Sequence, residues 1–232
     1  MNTVRLPTIE DRIVIIGQTG SGKTYGGLWH LSQMPIDEMP ALIIDFKRDK
    51  NINSIPFAKH IGIGEEMNEP GVYIIHPRTT PEDRIAVTDY LWEILERGDT
   101  ILFVDEGFML ADDRAFETIL MQGRSKHIPV IINAQRPVWL SRFAFSEASF
   151  VQVHNIRDRR DRKTISEFTP LFQRGEVTPR LPDYWSWYYD VSADVVRPMK
   201  KVPPMREIMR VFREKLEPPE LLEETGPRRV LL

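Results

Sequence analysis

Residues 12–24 read RIVIIGQTGSGKT, an apolar run that breaks into a glycine-rich loop closed by Lys-Thr. Residues 17–24 of it form a complete G-x-x-x-x-G-K-[ST] motif, a phosphate-binding loop. Each place has a chemical reason. Gly17, Gly20 and Gly22 let the backbone curl, so that the N–H groups of the loop, Gln18, Thr19 and Ser21 included, point inward at phosphate oxygens. Lys23 brings a point charge to the β- and γ-phosphates, and the Thr24 hydroxyl is a ligand for Mg2+. The helix that starts here adds its positive end. Random chains of this length carry such a motif roughly once in a hundred. Context narrows that further, because RIVII precedes it as a strand and YGGLWHLS follows as a helix. The stretch predicts ATP and Mg2+ as the bound species.

Apolar runs at residues 12–16, 41–45, 72–76, 100–105 and 128–133 are nearly continuous rather than alternating. That suits strands buried on both faces of a parallel sheet. Helical patterns lie between them. In 81–97, Pro81 opens the helix and Ile85, Thr88, Leu91, Trp92 and Leu95 recur at helical spacing before Gly98-Asp99. A second helix over 113–124 has Phe116, Ile119 and Leu120 as its stripe. Strands alternating with helices predict an α/β fold, a mostly parallel sheet covered on both faces.

The fourth run ends ILFVDE at 101–106. A buried strand ending in Asp delivers a carboxylate beside the phosphate loop, where Asp105 holds Mg2+ through water. Glu106 follows and is placed to polarise the attacking water. Two acids closing a strand are common alone. Paired with the loop, they point to ATP hydrolysis with an extra catalytic glutamate, rather than to a small-molecule kinase or a GTPase. The strand over 128–133 should run beside the Asp105 strand, with Gln135 at its end reaching the γ-phosphate region. There it can hold the water or sense the γ-phosphate, against the blander reading of a strand-end turn before Pro137. Arg124 can be an arginine finger for a neighbour's transition state, or a solvated cation favoured by a helix end.

Composition excludes several classes. The chain has 232 residues, 41% hydrophobic and 28% charged, as a globular protein does. It has no cysteine, so disulfides, zinc–thiolate sites and thiol catalysis are out, and its five histidines have no ligand spacing. No run is long and apolar enough to span a membrane, and MNTVRLPTIEDR is not a secretory signal. A net charge of −3 gives no support for wrapping nucleic acid, though a ring gripping DNA needs only local positive charge.

After residue 149 the pattern changes. Residues 150–154 form one more strand and 158–168 a charged helix. Along the aromatic run LPDYWSWYYDV, Trp185, Trp187, Tyr189 and Val191 share one face, with Ser186 and Asp190 on the other. Packing suits that stripe better than base stacking. From Arg197 onward prolines accumulate, and one amphipathic helix, over 205–216, interrupts them. The division expected is a core over 1–195 and a Pro-rich docked arm over 196–232. The basic run RDRRDRK at 157–163 can touch DNA phosphates, but reads more simply as a solvated helix start with Asp158 pairing Arg162. Lys47, Arg48 and Lys50 form a second basic cluster.

These motifs, in this order, resemble the FtsK–HerA superfamily of DNA-translocating ATPases, especially the small genome-packaging ATPases of viruses and phages, over about residues 10–195. Beyond the phosphate loop the resemblance rests on four features: ALIIDFKRD with Asp45 and Lys47, ILFVDE, Gly123-Arg124, and AQRP at 134–137. It implies a RecA-like core of the additional-strand, catalytic-glutamate type. That core would form a homo-oligomeric ring, pentameric or hexameric, with ATP between subunits and double-stranded DNA in the channel. Lys23 and Thr24 would meet nucleotide and magnesium, Asp105 magnesium, with Glu106 as base, Gln135 as sensor and Arg124 as a finger acting in trans. The expected partner is a viral capsid or packaging-vertex protein, in the host cytoplasm or the virion. The chain lacks the membrane segments and DNA-reading end domain of cellular chromosome translocases, which favours a compact motor. An assembly ATPase of the filamentous-phage kind and a small-molecule kinase are the alternative readings. Stable membrane partition would favour the first, and phosphate transfer to an acceptor other than water the second.

Overall fold

The computed structural model describes residues 5–218. Among these residues nine strands make one sheet: β1 (Arg12–Ile16), β2 (Pro40–Asp45), β3 (Lys59–His60), β4 (Gly71–Ile75), β5 (Ile101–Asp105), β6 (Val130–Ala134), β7 (Phe150–His154), β8 (Ser186–Asp190) and β9 (Val195–Met199). Their spatial order is β3-β4-β2-β5-β6-β1-β7-β8-β9. Every pairing from β3 to β7 is parallel, and the hairpin β8–β9 adds an antiparallel edge. One strand, β6, separates the phosphate-loop strand β1 from the Asp105 strand β5, which is the additional-strand arrangement.

The helices are α1 (Lys23–Gln33), α2 (Pro81–Arg97), α3 (Arg114–Gln122), α4 (Arg142–Ser146), α5 (Arg159–Phe168) and α6 (Met205–Leu216). The continuous apolar strands are explained by a core on each face. Along β1, Ile13 and Ile15 join Leu28, Leu31, Phe103 and Phe212 under α1 and α6. Val14 and Ile16 point the other way, toward Leu91, Ile94, Phe116 and Ile119 of α2 and α3. Local chemistry sets the helix ends. Thr80 accepts from the Asp83 amide at 3.3 Å with Pro81 behind it, and Asp113 caps α3 by accepting from the Phe116 amide at 2.9 Å.

Three sequence expectations change. The helix expected over 113–124 stops at Gln122, and Gly123–Lys126 continues as a 3₁₀ turn that carries Arg124. The division at 195/196 falls inside β9, whose pairing with β8 extends the sheet into the expected arm. That arm returns α6 to the core, where Ile208 and Phe212 are buried, while its residues 219–232 lie outside the described ones. The aromatic run is buried on both faces rather than one. Tyr189 and Trp187 pack into the α2–α3 core, while Tyr188 stacks on Phe150 at 5.2 Å beneath α1. On that second face Ser186 is buried and satisfied by Gln152 at 3.0 Å, which in turn meets His30 at 2.9 Å. Three polar residues are thus kept in the core because they form a chain.

Candidate active site

The loop between β1 and α1 has the shape an anion needs. Gly22 has φ +95°, where an L side chain is strained, and α1 starts directly after it with no side-chain cap. The first amides of α1 are therefore open to a ligand. At Gly17 a Cβ would stand 2.2 Å from Ser21 Oγ and 3.1 Å from His154 Cβ, so the loop closes on itself only without a side chain. Ser21 Oγ is buried without a partner.

Parallel register brings the acids to the same edge. Asp105 stands opposite Asp45 of β2 on one side and Asn133 of β6 on the other. Asn133 Nδ2 donates to Asp105 Oδ1 at 3.1 Å. Burial pushes the Asp105 carboxyl up to about 6, even though the Asn133 hydrogen bond favours its ionised form. Glu106 then turns through a left-handed conformation, φ 62°, which swings its buried side chain over the strand ends. One oxygen, Oε1, meets the Lys47 ammonium, Gln135 Nε2 at 3.0 Å and Lys23 Nζ at 3.7 Å. The other, Oε2, is buried and has no partner among the described residues. Thr19 Oγ1 donates to Gln135 Oε1 at 3.1 Å, which ties the phosphate loop to the end of β6. Burial lowers the Lys23 ammonium pKa, with the Glu106 charge opposing the shift.

Two cations, an amide and a carboxylate thus converge beside the open first amides of α1, with polar side-chain atoms left over at Ser21 and Glu106. The Ser21 amide, expected to point at phosphate, instead donates to the Gln18 carbonyl at 3.0 Å. Among the described residues no three His, Asp or Glu side chains make a metal cage. The hard oxygens of Thr24, at the start of α1, and Asp105, at the end of β5, are of the kind that could hold a magnesium ion.

No family model matches the chain. The DNA packaging ATPase P9 of Enterobacteria phage PRD1 is 42% identical to it over 217 residues, 90% of this chain and 95% of that protein. The chain belongs to the phage DNA-packaging ATPases. Among solved structures, its fold is similar to the genome packaging NTPase B204 of Sulfolobus turreted icosahedral virus 2 in complex with ATPγS. The TM-score is 0.68 at 16% identity, over 84% of this chain and 99% of that one. The pCW3 conjugation coupling protein TcpA with ATPγS gives 0.59 at 14% identity, over 87% of this chain and 65% of that one. At such identities the likeness is one of fold, the RecA-like core.

In this packaging ATPase the structure gathers Lys23, Asp105, Glu106 and Gln135 at one edge of the sheet and leaves Arg124 elsewhere. Arg124 precedes β6, whose far end carries Gln135, so the length of a strand separates it from the phosphate loop. Its side chain is exposed and meets Glu10 Oε2 at 3.4 Å. Lys47 is the residue that sequence reasoning undervalued. Asp45 Oδ1 accepts from the Lys47 amide at 3.0 Å and Oδ2 from the Asp49 amide at 2.9 Å, which turns the chain after β2 and aims Lys47 at Glu106. The signal was the Asp-x-Lys spacing at a strand end, a cap followed by a cation.

Proposed function

We propose that this chain hydrolyses ATP to drive double-stranded viral DNA into a preformed capsid. The convergence of Lys23, Lys47 and Gln135 on Glu106 carries the reading, in a chain 42% identical to a phage DNA packaging ATPase. The loop amides and the start of α1 seat the triphosphate, and Lys23 follows the β- and γ-phosphates. Thr24 and Asp105 would hold magnesium, which would supply charge neutralisation at the phosphates. Glu106 accepts a proton from the attacking water, and Gln135 orients that water or registers loss of the γ-phosphate. Subunits form a homo-oligomeric ring in which Arg124 reaches a neighbour's nucleotide, and a capsid or vertex protein anchors the ring. No described helix is long and apolar enough to cross a membrane. The working place is the host cytoplasm or the assembling virion.

Steady-state hydrolysis with and without duplex DNA tests the reading, with Glu106→Gln as the blank. Stimulation by DNA that vanishes in the blank supports a packaging motor. Hydrolysis indifferent to DNA in the presence of assembled capsids sinks it and leaves only the ATPase.

A further inference from the structure

Residues 157–168 carry five cations and three acids. Were they paired with one another, the segment would be a solvated face and nothing more. They are not. Asp158 and Asp161 meet Arg136 at 3.5 and 2.7 Å, and Glu167 meets Arg142 at 2.9 Å, so all three acids serve arginines outside the segment. Asp158 also caps α5, accepting from the amides of Arg160 and Asp161 at 2.8 and 3.1 Å. The Asp158–Arg162 pair expected from sequence does not form. Arg162 instead donates from Nε to the Ile156 carbonyl at 2.8 Å and lies 5.4 Å from the Phe172 ring centre.

Arg157, Arg159, Arg160 and Lys163 remain exposed, with no ion pair among the described residues. Lys163 stands three and four positions from Arg160 and Arg159, spacings at which like charges repel on a helix. The groove between α5 and the following loop is lined by Arg159, Arg160, Arg162, Lys163 and Arg174, against a single acid, Glu176. Cations spread along a helix and an opposing loop, all open to water, suit a polyanion with repeated phosphates better than one small anion. The groove is also fixed relative to the nucleotide site. Arg136, which holds the start of α5 through Asp158 and Asp161, is the next residue after Gln135.

We propose that this groove holds the phosphate backbone of duplex DNA. The inference rests on the packaging reading and adds the surface that touches the track. Its test is anisotropy of a labelled duplex with the full chain and ATPγS across a salt series. The variant Arg159→Ala/Arg160→Ala/Lys163→Ala should lose affinity on the order of tenfold or more. Its slope of log K against log salt should be shallower by about 2.7, at about 0.9 per phosphate contact. Arg159→Lys/Arg160→Lys should keep both, because charge rather than fork geometry is needed. Lys200→Ala/Lys201→Ala/Arg206→Ala, which removes the same charge from other exposed positions, should bind as wild type does. ATPγS binding reports that each variant is folded. If the triple variant fails that check, Lys163→Glu alone carries the test. Equal binding by variant and wild type overturns the inference, as does an equal loss in the Lys200 set. A wild type that binds no duplex overturns the packaging reading itself.

Discussion

Glu106 is buried, left-handed in its backbone, and crowded on one oxygen while bare on the other. A non-glycine residue held there costs about 1–3 kcal/mol, which the surrounding site must hold in place. Glu106→Gln keeps the shape and removes the proposed base. Turnover should fall roughly 10²- to 10⁴-fold with ATPγS affinity within a few-fold of wild type, by steady-state kinetics beside equilibrium binding. Lys47 touches Glu106 rather than the loop, so Lys47→Ala should lower kcat by about tenfold or more and leave KM nearly unchanged. Asp105 makes the opposite bargain between stability and function. Its carboxyl titrates near 6 when folded, above the ordinary value of 3.8, because burial disfavours the charge. The folded state therefore holds its proton where the unfolded chain has lost it. That contribution is full below about pH 4, fades as pH rises to about 6, and is gone above. At neutral pH the ionised group costs up to about 3 kcal/mol. Asp105→Asn should raise the melting temperature at pH 7, show little gain at pH 4, and lose magnesium-dependent hydrolysis. An unchanged melting temperature at pH 7 would mean that burial does not penalise this carboxylate.

Elements follow from sequence where local chemistry decides, and depart from it where a distant neighbour does. β1, β7, α2 and α6 have the ends that apolar runs, caps and prolines dictate. The two-residue β3 has no such signal, because Lys59 and His60 are exposed and pair only with the edge of β4. β9 was hidden by Pro198, which an edge strand tolerates. In the site, the loop and the strand-end acids were readable from motif and position. The Lys47 contact was not, since it depends on how Asp45 caps the turn beyond β2. The glycine pair after the loop shows how packing and site join. A Cβ at Gly27 would stand 2.6 Å from the Phe103 ring and 2.9 Å from the Asn133 amide, so α1 lies directly on β5 and β6. Gly27→Ala should destabilise by about 1–3 kcal/mol through overpacking. It should also weaken ATPγS binding, because α1 carries Lys23 and Asn133 holds Asp105. Thermal melting and nucleotide titration check the two effects together. A stability loss with unchanged affinity would show that α1 yields without moving its first turn.

At the scale of the whole molecule, Arg124 is informative because of its distance from everything else in the site. β6 alone spans roughly 16 Å between the turn that carries Arg124 and the end that carries Gln135. An exposed cation there cannot serve its own subunit's γ-phosphate; in the proposed ring it would serve the next subunit's. If so, Glu106 and Arg124 belong to the same catalytic site but to different chains. Arg124→Ala and Glu106→Gln should then each be inactive alone, while still binding ATPγS. Mixed in equal amounts under exchanging conditions, they should recover activity. An interface works when the subunit lending Glu106 is the arginine variant and its neighbour is the glutamate variant. Random assembly makes that pairing in about one interface in four, so recovery should approach about a quarter of the wild-type rate. Recovery should also rise with protein concentration, as assembly does. Two variants that stay inactive when mixed, in rings shown by mass to contain both, would place Glu106 and Arg124 in one chain's work and remove the finger role from Arg124. Full activity of Arg124→Ala alone would do the same more simply, leaving its pair with Glu10 as a surface contact.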